Sequence, residues 1–423
     1  MNKIEIIDRI CGSGKTHAII DWMKRNPIQR YLYVSPMLTE VEERIPSQAE
    51  WLNFKFPEVS SEYTTKGDSL MALLREGHNI AFTHSLYLSF TRQHINTIRE
   101  MGYILVVDEE VNLIQPLDSE YTSEDIRYLH KDGKLAIDKD KFGQLKWTWA
   151  DYGSNARYSK LKNLCDLGMI YCVESPIDGE LANLVIQLPI ELVTASSRCI
   201  AISYLFKGSV MESFLKMRGI EVVDFDHEAE GVSFRYSNEE VIEKLKGLIT
   251  FIETPSTKKI GRKSLSYTWY AKEMKQEDAD ELAAAIRSVA QKVGAISDDV
   301  MYTMPKNRAF PERKNAIVVK PKSLPADRCY VYCSARATND FAHKNTLIHA
   351  LYRHPNVTIA SYLKYYGHPV DIDQFALAEM IQWIFRSRLR NQEPINLCLL
   401  SHRMRVLFNG WLESARRLRP DAK

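Results

Sequence analysis

Apolar positions along this chain recur with two periods, and the two alternate. The run Tyr103-Ile104-Leu105-Val106-Val107 is apolar throughout, as in a strand buried on both faces. Residues 4–8, 30–36 and 79–84 predict further strands. Helical spacing over 38–45, closed by Pro46, and over 69–75 and 86–101 fills the gaps. Strand and helix in alternation predict an open parallel sheet with helices on both faces. The pattern breaks over about 115–185, a polar stretch with Trp147, Trp149, Tyr152 and Tyr158 among charges, which reads as an insertion. It resumes with a helix over 189–198, a strand over 199–204, a helix through Lys216 and a strand over 220–223.

A second α/β unit follows. Strands are predicted at 264–270, 300–303, 316–319, 330–333 and 396–400, and helices at 279–293 and 375–389. Residues 254–263 read as a surface loop near the boundary. The division is therefore 1–238 and 239–423, with the insertion in the first part.

Composition changes this picture little. The 423 residues are 45% hydrophobic and 26% charged, with a formal net charge of +2. A nucleic-acid surface would have to be a local patch. Seven scattered cysteines, no two in a CxxC pair, point to reduced thiols and a cytoplasmic setting. No apolar run approaches the roughly 20 residues that span a bilayer, so no membrane partner is expected.

Chemistry concentrates at predicted strand ends. After the first strand comes Arg9-Ile10-Cys11-Gly12-Ser13-Gly14-Lys15-Thr16-His17, and then a helical pattern. Gly12 and Gly14 let backbone N–H groups converge on an anion, and the helix start adds its dipole. Lys15 can reach outer phosphates, and the Thr16 hydroxyl can ligate Mg2+. Cys11, Gly12, Ser13, Gly14, Lys15, Thr16 and His17 are thus the candidate ATP-binding residues, although Arg9 stands where the general motif has glycine. Asp108-Glu109-Glu110 ends the buried strand. Asp108 can hold Mg2+ and Glu109 can activate water, while Glu110 can equally cap the next turn.

Other candidates also fall at strand ends. Ser35, Pro36, Thr83, His84, Arg336, Thr338 and Asn339 suit the backbone of a nucleic acid. His84 reads equally as a buried, hydrogen-bonded histidine. Ser203, in preference to Thr194-Ala195-Ser196, is the candidate for coupling nucleotide state to grip. In the second unit, Gln382 precedes Arg386, Arg388 and Arg390. On one helix, Arg386 and Arg390 would share a face and could stabilise a transferring phosphoryl group. The plainer alternative is a basic helix end.

Taken in order, these motifs resemble the superfamily 2, DEAD/DEAH-like helicases. Gly12-Ser13-Gly14-Lys15-Thr16 is similar to their first motif, Asp108-Glu109-Glu110-Val111 to the DExx box, and Ser203 to the serine of the Ser-Ala-Thr motif. Gln382 and Arg386 are similar to the start of the last motif, with Phe385 in place of its glycine and the final arginine displaced to Arg390. Ser334-Ala335-Arg336-Ala337-Thr338-Asn339-Asp340, the 382–390 run and Ser401-His402-Arg403-Met404-Arg405 resemble helicase-like proteins of bacteriophages and mobile elements. The resemblance implies an α/β fold of two RecA-like parallel-sheet domains, with ATP in the cleft between them. It also implies single-stranded or duplex nucleic acid as partner, DNA favoured, with replication proteins as further candidates. A nucleotide kinase, or a binding protein switched by ATP without hydrolysis, remains as an alternative.

Overall fold

The structure, a computed structural model, describes residues 3–117, 121–150, 157–175, 179–311, 313, 316–334 and 340–417. Four strands open the chain: β1 (Lys3–Asp8), β2 (Tyr31–Ser35), β3 (Ile80–Thr83) and β4 (Ile104–Asp108). The last three are mostly apolar with both faces buried, and β1 buries its Ile4-Glu5-Ile6-Ile7 stretch. The chain then builds an antiparallel sheet from β5 (Ile114–Pro116), β6 (Leu135–Asp138), β7 (Gln144–Trp147), β8 (Ile170–Glu174) and β9 (Leu181–Gln187). It returns with β10 (Arg198–Ser203) and β11 (Glu221–Asp224). The first sheet is parallel throughout, in the order β11-β1-β10-β4-β2-β3. A second parallel sheet follows, built from β12 (Ile249–Phe251), β13 (Val300–Thr303), β14 (Thr346–His349) and β15 (Ile395–Leu399), in the order β12-β15-β14-β13. The expected α/β class, with two parallel sheets and an insertion in the first, is what the chain forms.

Contacts divide the chain into two compact units. One comprises Met1–Asp8, Ile19–Val232 and Pro355–Ile372; the other comprises Arg9–Ala18, Ser233–His354 and Asp373–Lys423.

In the first unit the inserted sheet, order β5-β9-β8-β7-β6, has a core of its own, from Ile126, Leu129 and Leu135 to Ile170, Cys172 and Leu181. Alternating polar residues hide that core from a scan for continuous apolar runs, because an antiparallel sheet can keep one face wet. Helix Val357–Tyr365 belongs to this unit as well. The Tyr362 hydroxyl donates to the Phe142 carbonyl at 2.6 Å, and Gln187 Nε2 donates to the Tyr362 oxygen at 2.7 Å.

Several expected elements differ. The helix expected over 86–101 is two, His84–Tyr87 and Arg92–Met101, because Thr91 caps the second in a capping box with His94. The helix expected over 189–198 shrinks to Glu191–Thr194. The 254–263 loop contains helix Pro255–Ile260, started by Thr254.

In the second unit, 264–270, 316–319 and 330–333 are not strands. Ser266 and Tyr330 make isolated bridges to Tyr352 and Tyr302. Val319 and Val331 each donate one backbone bond, to the Arg308 and Tyr302 carbonyls. Their apolar character serves the core and not a ladder. The strands that the periodicity missed are β12 and β14.

The helix expected over 375–389 is Ile372–Ile384. The Ser387 hydroxyl donates to the Ile384 carbonyl at 2.7 Å and accepts from the Leu389 N–H, closing the helix and starting the 3-10 turn Arg388–Asn391. Arg386 and Arg390 therefore do not share a helix face. Arg386 is buried in the turn after the helix, and Arg390 is exposed on the 3-10 turn.

Candidate functional site

Five strands of the first sheet end in one row. Asp8 is level with Ser203, Ile202 with Asp108, Val34 with Val107, and Ser35 with Thr83. The carboxyl edge thus carries Asp8, Ser203, Asp108, Ser35 and Thr83 side by side, where parallel α/β sheets take ligands.

Asp108 is nearly buried, and its Oδ2 accepts from the Tyr33 hydroxyl at 2.9 Å. Burial, with the Asp108 charge and hydrogen bond, holds the Tyr33 phenol well above its ordinary value, so it remains a donor. His84 is buried as well. Its Nε2–H donates to the Asp108 carbonyl at 2.8 Å, which makes the ring a support for the acidic turn.

Glu109 follows at φ 65°, a left-handed conformation that a glutamate adopts at a cost of about 1–3 kcal/mol. Its N–H donates to the Ile202 carbonyl at 2.9 Å, and its Oε2 is buried without a hydrogen-bond partner among the described residues. Strain and an unpaired buried carboxylate oxygen thus fall on one residue. Glu110 turns to Ser203, whose hydroxyl donates to Oε1 at 3.5 Å. The turn beyond β10 is held by Asp8, whose carboxylate accepts from the N–H groups of Leu205 (2.7 Å) and Phe206 (3.0 Å). Leu205 is also left-handed, at φ 58°. Neither Asp8 nor Tyr33 is singled out by a motif. Their signal in the sequence is only that each lies on a strand of this edge. Ser35 is buried, while Pro36 and Thr83 are half-buried.

The glycine-rich loop, in the second unit, is shaped as a cradle. Gly12 and Gly14 sit at φ 85° and 87°. Nothing lies within 4 Å of where a Cβ would stand at Gly12, whereas at Gly14 it would press on the Arg235 Cβ at 3.2 Å. Ser13 is fully buried. Its hydroxyl and N–H both donate to the Ile10 carbonyl, and its own carbonyl accepts from the Arg235 N–H at 3.1 Å. The Ile10 N–H donates to Asn238 Oδ1 at 2.9 Å, and the Arg9 guanidinium lies 4.3 Å over the Phe234 ring. Segment 234–238 thus pins the loop, a role no motif announced; the legible signal there is the Ser237–Glu240 capping box. Arg9, in place of the expected glycine, serves this packing. Helix Lys15–Arg25 starts inside the cradle, so its first N–H groups have no partner within the helix. The Lys15 ammonium reaches back to the Arg9 carbonyl at 3.1 Å. Cys11 and Thr16 are half-buried and His17 is exposed.

Gln382 is half-buried on helix Ile372–Ile384. Arg336, Thr338 and Asn339 lie outside the described residues. All seven cysteines are free. Among the described residues, no group of three or more His, Cys, Asp or Glu side chains could hold a metal, and no helix is long and apolar enough to cross a membrane.

Fold and edge together define an α/β chain with parallel sheets, a glycine-rich loop after its first strand and a left-handed glutamate after β4. Residues 243–412 match the family model described as "YonV C-terminal Rossmann-like domain". Over 437 aligned residues the chain is 26% identical to the "SPbeta prophage-derived uncharacterized protein YonV" of Bacillus subtilis (strain 168), covering 98% of this chain and 100% of that protein. A solved structure described as "XPD_APO" is similar at TM-score 0.45 and 13% identity, over 98% of this chain and 96% of that one. A second, "Structure of S. tokodaii Xpd4", is similar at TM-score 0.39 and 13% identity, over 96% and 94%.

Proposed function

We propose that this chain is a nucleic-acid-stimulated ATPase of the helicase or translocase type, with DNA the favoured polymer. The observation that carries this reading is Glu109: a left-handed carboxylate with a buried orphan oxygen, beside Asp108 on the strand-end row from which the glycine-rich loop departs.

The loop 11–17 receives the triphosphate. Backbone N–H groups at Gly12, Gly14 and the helix start meet its oxygens, and Lys15 neutralises the outer phosphates. Thr16 and Asp108 would hold Mg2+, which supplies charge neutralisation on the phosphate oxygens. Tyr33 keeps the Asp108 carboxylate aimed. Glu109 takes the proton of the attacking water as the water oxygen bonds to the γ-phosphorus and ADP departs with the electrons of the broken bond. Arg386 or Arg390 supplies positive charge to the transferring group, and Gln382 assists in positioning it. Ser35, Pro36, Thr83, Arg336, Thr338 and Asn339 grip the strand backbone, while His84, the other candidate there, braces the acidic turn through the Asp108 carbonyl. Ser203, bonded to Glu110, reports the state of the acidic turn to that grip.

The experiment is ATP hydrolysis by the full chain with single-stranded DNA, RNA, duplex DNA or no polymer. Stimulation by at least one polymer is expected. Hydrolysis indifferent to all of them, but raised by a small phosphate acceptor, would replace the motor with a kinase.

A further inference from the structure

In the first unit a cavity of about 350 Å3 opens between the inserted sheet and helix Arg92–Met101. It is distinct from the strand-end edge, and its walls are cationic. Arg92 and Arg99, seven residues apart, line it from one helix face, and Arg218 lines it from the far side. Glu191 is the one acidic side chain in the lining.

Two of the three guanidiniums, those of Arg99 and Arg218, are held by neutral groups. Arg99 Nη1 donates to Asn96 Oδ1 at 3.2 Å. Arg218 lies 5.8 Å from the centroids of both Phe142 and Tyr171, and its Nη1 donates to Gln187 Oε1 at 3.4 Å. Among the described residues, no carboxylate pairs with Arg92, Arg99 or Arg218. Three like charges facing one cavity repel one another, and an anion relieves that repulsion. Planar guanidiniums suit phosphate oxygens in particular.

The shape narrows the ligand. The volume is that of a small-molecule pocket, and it admits a nucleotide but no duplex. Arg92 and Arg99 are both exposed and stand about 10 Å apart along the helix axis, at 1.5 Å per residue. That spacing suits successive phosphates of a strand better than a single phosphate, which only one of the two need meet. We infer that this arginine-lined cavity is a second grip for single-stranded nucleic acid, and that the insertion exists to form its far wall. The inference rests on the motor reading for its polymer, and on the cavity alone for its place.

The test uses the full chain and a fluorescent single-stranded oligodeoxythymidine, with anisotropy followed across a salt series. The R92A/R99A double variant, altered only at exposed side chains, is expected to unfold at the wild-type temperature. It should bind about 10-fold more weakly or worse, with a log–log salt slope shallower by about 1.4, since each lost single-strand phosphate contact contributes about 0.7. The Glu191→Gln variant is expected to bind more tightly. Inorganic phosphate or thymidine monophosphate at equal phosphate concentration should not displace the strand. Unchanged affinity and slope in R92A/R99A overturn the second grip while leaving the motor reading intact, as does displacement by the monophosphate. Absence of strand binding by the wild type overturns both.

Discussion

Glu109 concentrates the chemistry of the account at one residue. Its φ is positive, and its Oε2 is buried without a hydrogen-bond partner among the described residues. Replacing it with glycine should therefore raise stability by about 1 kcal/mol, since glycine adopts that conformation freely, while hydrolysis is lost. Glu109→Gln should also lose hydrolysis yet retain ATP binding. Denaturant unfolding and turnover, measured on both variants, check this pair. A destabilised glycine variant, or a glutamine variant as fast as the parent, would contradict the role.

His349, at the end of β14, offers a pH test at the same scale. Burial, with a smaller contribution from the nearby Arg353 charge, pushes its imidazole down to about 3. The folded chain then stays neutral there, while the unfolded chain takes up a proton below the ordinary value of about 6.5. Stability therefore falls as pH drops through 6.5 and keeps falling toward 3. A His349→Phe variant should lose that share of the slope. Equal slopes for variant and parent between pH 7.5 and 5.5, in denaturant unfolding, would contradict the assignment.

At the scale of elements, what could be read in advance was what local sequence dictates. The glycine pair before Lys15, and the apolar run ending at Asp108, announce a loop and a buried strand wherever the rest of the chain goes. The arginine run 386–390 departs from the expected helix although helical periodicity continues past Ile384, because one Ser387 hydroxyl closes the helix there. The inserted sheet was visible only as an interruption, since its alternation is partial and its pairings are long-range. The supports of the site, Tyr33 to Asp108 and Arg235 to Ser13, are tertiary and leave no local trace.

The broken helix separates the two arginines in environment, and so in expected effect. Arg386→Ala should lower kcat for ATP by 10³-fold or so, the lower range for an arginine acting on a transferring phosphoryl group. Arg390→Ala, at an exposed position, should cost much less. Turnover at saturating ATP distinguishes them, and equal losses would return the pair to joint roles.

For the whole molecule, a motor needs nucleotide state and strand affinity to be linked. Single-strand affinity should differ about 5-fold or more between ADP and a non-hydrolysable ATP analogue, the lower range of coupling between sites. Equal affinities would leave an ATPase without a motor.

Hydrolysis of ATP by the wild type and by Lys15→Ala, each with and without single-stranded DNA, bears most directly on the central claim. Turnover should rise with the strand in the wild type and vanish in the variant under both conditions, with the fold intact by circular dichroism. Undiminished hydrolysis in Lys15→Ala would contradict it.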